Sequence, residues 1–301
     1  MTTLASARIA RWRERNQSRV ENWQRGWYRL RQSRLSLVGL LIVAAILFVT
    51  LAGPGIVPYP QDASGAVHVR DKFQGPTAAH WFGTDELGRD ILTLTLIGAQ
   101  VSLSVGIIVL LVGGSIGIVL GALAGYFGGL VNEIIMRVTD IFLTVPSLVL
   151  ALAIAAALGA SLRNMMFAIA LVWWPGYSRL VQAEVMSRKQ DLYVQAARAL
   201  GASHTRIIFT HILPNLMSPI IVKMSLDMGF AILTAAALGF VGVGAQPPTP
   251  EWGAMLSIAR NYMPQYWWYP VFPGFALFLT VFGFNLLGDG LRDVLDPRAR
   301  R

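Results

Sequence analysis

Long apolar blocks separated by short polar stretches constrain this chain more than any motif does. The first block covers residues 35–53. At 1.5 Å of rise per residue, a helix of about 19 residues just crosses a hydrocarbon core of roughly 30 Å. Further blocks follow at 97–124, 134–158, 165–181, 220–243 and 271–287. With 54% of its 301 residues hydrophobic and only 14% charged, the chain is too apolar for a soluble domain of its size. The sequence predicts an all-α integral membrane protein with six transmembrane helices. A cleavable leader is the alternative for the first block, but its basic lead-in is too long and no clear small-x-small cleavage site follows. The block therefore reads as an anchor. The absence of cysteine removes disulfides, thiolate nucleophiles and cysteine-based metal sites from consideration.

Residues 1–34 hold nine Arg and no Lys. Val20, Trp23, Trp27 and Leu30 recur at helical spacing, while Arg19, Arg25 and Arg29 fall mostly elsewhere around the turn. That pattern predicts a cytoplasmic amphipathic helix lying in the membrane interface, its rings among the headgroups and its guanidinium groups towards anionic lipid. The net charge of +9 then reads as topology rather than nucleic-acid binding. With the amino terminus inside, twenty of the 25 Lys and Arg lie on the cytoplasmic side: nine before residue 35, and eleven at 137, 179, 188, 189, 198, 206, 223, 292, 298, 300 and 301. Arg70, Lys72, Arg89, Arg163 and Arg260 lie outside. The positive-inside rule supports that orientation, with both termini cytoplasmic.

The polar excursion at 54–96, rich in Pro, Gly and Asp, ends in HWFGTDELGRD at 80–90. Asp85 is placed to cap the second span, with Glu86 and Asp90 near its positive end. Glycines 113, 117, 121, 125 and 129 are four apart, a ridge on which another helix can approach closely. No Gly-x-x-x-x-Gly-Lys-Ser/Thr motif occurs in the chain. The 125–130 stretch predicts a tight turn, Pro146 falls inside the third span, and Asp140 lies one turn from Arg137, the spacing of a local ion pair. Trp173-Trp174-Pro175-Gly176 predicts a kink in the fourth span. Asp227 lies in the fifth, where a carboxylate must face protein or a watery path; path lining and a buried hydrogen bond stay open. Tyr262, Tyr266, Trp267, Trp268 and Tyr269 read as an interfacial aromatic belt, and residues 291–301 form a tail.

The polar island at 184–219 carries two short helical patterns hinged at Gly201. In the first, Gln195, Ala196 and Ala197 lead to the glycine, and the small side chains allow another protein surface close to the backbone. The second puts Ile207, Ile208 and Ile212 on one side, and Leu213-Pro214 is expected to end it.

Ala196-Ala197, then Gly201-Ala202, then Leu213-Pro214 resemble the cytoplasmic EAA loop of bacterial ABC-importer permeases. Gln195 stands where that family has Glu, and His211 where it has an aliphatic residue. Together with GTDELGRD at 83–90, GYFGG at 125–129, AARALGAS at 196–203, HILPN at 211–215, GAQPPTPEWG at 244–253 and FNLLGDGLRDVLDP at 284–297, nearly the whole chain is similar to the second permease subunit of the dipeptide, oligopeptide and nickel importers. The resemblance implies the type I ABC-importer permease fold, with a core at 97–290, in a bacterial inner membrane. It implies a heterodimer with a sister permease, two cytoplasmic ATPases carrying ATP and magnesium, and an extracytoplasmic solute-binding protein. Gln195, Ala196, Ala197, Gly201, Ala202, Leu213 and Pro214 would couple the chain to an ATPase, while Asp227 and Trp174 would line the path. No cofactor or metal is implied on this chain.

Short peptides rank first as cargo; nickel, glutathione and opines are alternatives. An ion-coupled secondary transporter would show paired broken helices or shared intramembrane charges, and no convincing internal repeat is present. An embedded enzyme would need a catalytic context for His68, His80, His204 or His211, and none has one. A plain scaffold would tolerate change at Gly201.

Overall fold

In hydrocarbon, each backbone N–H and C=O must find its partner within the protein, which leaves helices or closed barrels. The computed structural model describes residues 28, 31 and 33–295, and among them the chain is helical, with one isolated bridge between Thr84 and Asp90 and no strand. Most of the interfacial helix expected at 1–34, and Arg298, Arg300 and Arg301 of the tail, lie outside the described residues.

Helix α1 (Arg34–Ile56) begins at Ser33, whose hydroxyl accepts the Ser36 N–H. It packs on α9 (Trp268–Leu295) through glycines: a Cβ on Gly39 would meet Leu286, one on Gly283 would meet Ile42, and one on Gly290 would meet Ser36. Helix α2 (Ile91–Phe127) is longer than its apolar block. It crosses α5 (Leu162–Arg188) in the most extensive helix–helix contact among the described residues. Gly113, Gly117, Gly121 and Gly125 lie against the carbonyl oxygens of Ala170, Trp174, Ser178 and Gln182. Both series step by four, so two backbones run side by side with no room for a Cβ. Gly129 does not join this ridge; it sits with Gly128 at positive φ in the turn into α3.

The third block is two helices, α3 (Gly129–Thr144) and α4 (Ser147–Leu158), bent by 89° at Val145-Pro146. Proline lacks the N–H that would continue the ladder and restricts the residue before it, so Pro146 breaks the segment. By contrast α5 runs through Pro175 without interruption.

Four helices are long and apolar enough to cross a membrane: α1, α2, α9 and α7 (His204–Val241). The bent pair α3 and α4 makes five if it is one span. The six-span count thus goes beyond what length and composition establish; α5 has the length but carries Arg163, Arg179, Glu184 and Arg188. Helix α7 also corrects the expected stop at Leu213-Pro214. The chain keeps turning through a wide-turned segment at Ile207–Ile212, where the Leu213 N–H reaches Ile208 O, and a tight one at Leu213–Leu216, before regular helix resumes at Met217. The change of register takes the chain past a proline that a regular ladder would not accept.

Helix α8 (Trp252–Ala259) wedges beside α7 and α2. Gly253 lies on the Ala236 backbone, and buried Trp252 donates to Thr95 O at 3.0 Å. Glu251, fully buried, accepts the N–H groups of Gly253 and Ala254, each at 2.9 Å, and the Ser102 hydroxyl. Burial pushes its carboxyl up from the ordinary range, and those three hydrogen bonds oppose the shift.

Candidate functional site

Two polar segments bound the helical body, at opposite ends of α2. At the amino-terminal end, residues 57–90 fold over the helix ends around three buried carboxylates. Asp90, not Asp85, caps α2, accepting the Thr93 N–H at 2.7 Å. Asp85 instead closes the turn before it: it accepts the N–H groups of Leu87 and Arg89 and pairs with the Arg89 guanidinium at 2.7 Å. Burial raises the Asp85 pKa and Arg89 opposes the rise. Asp62, which sequence reading did not single out, accepts the Asp90 N–H at 2.7 Å and lies 2.9 Å from His68 Nε2. His80 Nδ1 lies 3.0 Å from Asp90.

The aromatic group at 262–269 completes this segment rather than standing only as a lipid belt. Phe73 stacks on Tyr266 with centroids 4.1 Å apart, Tyr269 donates to Glu86 at 2.6 Å, and the Trp268 indole points at Thr84 O. The only signal in sequence was that both stretches border spans.

At the other end of the molecule, helix α6 (Leu192–Ala199) and the start of α7 lie across the ends of α2 and α5. Val194 and Ala197 point inward and join Tyr126, Val181, Val185, Ile207, Ile208, Ile212 and Leu213 in one cluster, with Ala202 packed against it. The helix ends as its sequence predicts. Gly201 has φ +78, its N–H reaches Arg198 O at 3.0 Å, and the Ala202 N–H reaches Ala197 O at 3.1 Å. These two bonds and a left-handed residue form a Schellman cap. Apart from its chain neighbours, no described residue has an atom within 4 Å of a Cβ built on Gly201. The glycine is required by the backbone and not by crowding.

The opposite face of α6 is open. Leu192, Ala196 and Leu200, spaced by four, form one outward stripe, with Leu192 83% and Leu200 88% exposed. Gln195, also exposed, donates its amide to Gln190 O at 2.9 Å, a bond a carboxylate could not make. Of the residues singled out from sequence, Ala197, Ala202 and Leu213 thus face the cluster, while Gln195, Ala196, Gly201 and Pro214 face outward. Leu192 and Leu200 were missed; their spacing with Ala196, on the face opposite Val194 and Ala197, was the available signal. Beside α6, Lys189, Gln190, Gln195 and Arg198 border a hollow of about 720 Å³ whose floor includes Tyr126.

Asp140 pairs with Arg179 of α5 and not with Arg137, which instead reaches Glu133 at 3.8 Å. The α5 side chain crosses to α3, a contact that local spacing does not encode. Asp227 pairs with Lys223 one turn away at 3.0 Å, and Lys223 lies 5.0 Å from the Tyr177 ring centre. Asp227 lines a cavity of about 660 Å³ between α5, α7 and α9. Trp174, 5% exposed, is packed against Phe142 and lies outside that lining. Among the described residues, no three His, Cys, Asp or Glu side chains group as a metal site.

Residues 117–301 match the family described as the binding-protein-dependent transport system inner membrane component, and residues 21–76 match the N-terminal transmembrane domain of oligopeptide transport permease C. The chain belongs to this permease family. Among curated proteins it is 46% identical over 287 residues to a probable D,D-dipeptide transport system permease of Escherichia coli, covering 95% of each chain. It is 44% identical to a dipeptide transport system permease of Alkalihalophilus pseudofirmus, covering 93% of this chain and 91% of the relative. A glutathione transport system permease of Pectobacterium atrosepticum is 42% identical, covering 92% of each. The permease is therefore the membrane-spanning subunit of an ABC importer and a multi-pass inner-membrane protein; ATP hydrolysis belongs to separate subunits.

Proposed function

We propose that this permease forms half of a translocation path for short peptides, paired with a sister permease and driven by two cytoplasmic ATPases. Relatives named for dipeptide transport support the cargo class. The observation that carries the coupling role is the two-faced build of α6: one face is locked into the cluster of Val194 and Ala197, and the other presents Leu192, Ala196 and Leu200 uncovered by any described residue. An exposed apolar stripe of that kind on a rigidly mounted helix is a protein-docking surface. An ATPase seated there pushes on α2 and α5 through the cluster, so that closure of the ATPase pair biases the path towards one of two conformations. A solute-binding protein delivers cargo on the far side. ATP and magnesium sit on the ATPases, and both termini of this chain are cytoplasmic.

The test is affinity purification from native membranes in mild detergent, with co-purifying chains identified by mass spectrometry. The natural chain is expected to bring a sister permease and two ATPases, and the double variant Leu192→Ser, Leu200→Ser to keep the sister and lose the ATPases. Recovery of the natural chain with its sister but no ATPase under any condition, or ATPases retained by the double variant, would overturn the coupling role of α6.

A further inference from the structure

The cavity between α5, α7 and α9 is bounded by both ends of the coupling stretch. Glu184 and Arg188 line it from the start of that stretch, and Asn215, Ser218 and Pro219 from its end. Its inner reach includes Lys223, Asp227 and Phe230, and its α9 wall includes Arg292. From Asn215 to Phe230 the lining follows α7 for about 22 Å at 1.5 Å per residue, so the space runs from the coupling end well into the helical body. Its volume of about 660 Å³ falls within the range of small-ligand sites, roughly 300–1,000 Å³.

Its charges are arranged in an unusual way. Lys223 and Asp227 neutralise each other, and Arg188 is engaged by Asp191 at 3.6 Å. Glu184 and Arg292, on different helices, line the same space, and their side chains make no hydrogen bond or ion pair with any described residue. A half-buried carboxylate and, across the space, an exposed guanidinium complement a ligand with one positive and one negative end. We infer that this cavity is a release chamber for zwitterionic short peptides, with Glu184 meeting the α-ammonium and Arg292 the α-carboxylate. This rests on the importer reading and adds to it a binding site and a coupling route. Because Glu184 and Asn215 belong to the coupling stretch, a movement of α6 shifts one wall relative to α9 and separates the two charges that hold the peptide.

The natural absence of cysteine gives a direct test. Val222→Cys, which places a thiol on the cavity wall, is introduced into the complete importer in inside-out vesicles and reacted with a membrane-impermeant methanethiosulfonate. Reaction is expected, slowed several-fold by L-alanyl-L-alanine and not by N-acetyl-L-alanyl-L-alanine amide, which lacks both charges. Adding Glu184→Gln and Arg292→Gln is expected to abolish the protection while reactivity persists. An unreactive thiol in vesicles made from cells whose variant importer still takes up dipeptide would overturn the chamber, since a sister subunit would then seal it. Equal protection by the blocked peptide, or protection that survives the double variant, would overturn the zwitterion assignment. Absence of ATP-driven dipeptide uptake in the cysteine-free parent would instead remove the importer reading beneath both.

Discussion

The polar segments at the two ends of this permease are built on opposite plans. Residues 57–90 bury Asp62, Asp85 and Asp90 and satisfy each with backbone N–H groups, Arg89 or a histidine. The aromatic group at 262–269 then closes over them. Around α6, only the inner half is finished: Val194 and Ala197 are held, and Leu192 and Leu200 stand in solvent. A segment whose buried carboxylates are all matched within the chain is a structural cap. One that leaves an apolar stripe outward on a fixed mount is waiting for a partner. The difference predicts that substitutions at the closed contacts of the first segment act on stability and those on the outward face of the second on assembly and transport.

The largest effect is expected at Arg89. Replacing it with Met leaves buried Asp85 without its counter-charge, a loss of about 3–5 kcal/mol for a broken buried pair. Thermal unfolding in detergent should show a markedly lower midpoint, and hydrogen exchange should rise across 57–90. A change of under about 1 kcal/mol would mean that the segment is not a closed unit. Gly201→Ala comes next, at about 1–2 kcal/mol, because a left-handed backbone is forced on a residue with a Cβ. Gly201→Asn should cost less, since Asn tolerates that conformation. Equal loss with both would point to a steric role that the open space around Gly201 does not support.

Glu251, buried like the cap carboxylates, gives a smaller and pH-dependent signal. Its folded pKa is raised by burial, so the stability it contributes is fully present below the unfolded carboxylate range and is lost as pH rises through the folded value. The midpoint should therefore decline with rising pH, and Glu251→Gln should flatten that slope; an unchanged slope would assign it to other groups. The smallest effect on stability belongs to Leu200→Ser, within about 0.5 kcal/mol as for an exposed substitution, yet uptake should fall to background. A destabilised but fully transporting variant would invert the comparison.

What was legible in the sequence follows from how local its physical cause is. The four-residue glycine period announced a backbone crossing, because only missing side chains at one helical face allow it. Gly201 and the Ile207, Ile208, Ile212 side were likewise local matters of cap and face. The partners of Asp140 and Asp62 were not legible, because each depends on which distant element folds back: spacing along the chain offered Arg137 to Asp140 when the tertiary structure supplies Arg179. Asp85 was misplaced for a local reason, since Asp85 and Asp90 both stand near the start of α2 and it is Asp90 that caps it, while Asp85 closes the preceding turn with Leu87 and Arg89. Pro214 was misleading for a different reason: a proline ends a regular ladder, but here a change of turn width carries the helix past it. The outward leucines of α6 were spaced for recognition, and only the structure shows which side of that helix is occupied.

The most direct test of this account uses Leu200→Cys in the otherwise cysteine-free chain, with Trp81→Cys in the opposite segment as its counterpart. The rate of reaction with a membrane-impermeant thiol reagent is measured in membranes with and without the ATPase subunits. The account predicts that Leu200→Cys reacts from the cytoplasmic side and becomes strongly protected when the ATPases are present, while Trp81→Cys reacts only from the other side and is indifferent to them. Equal reactivity of Leu200→Cys in both preparations, with uptake intact, would contradict it and move the coupling contact off α6.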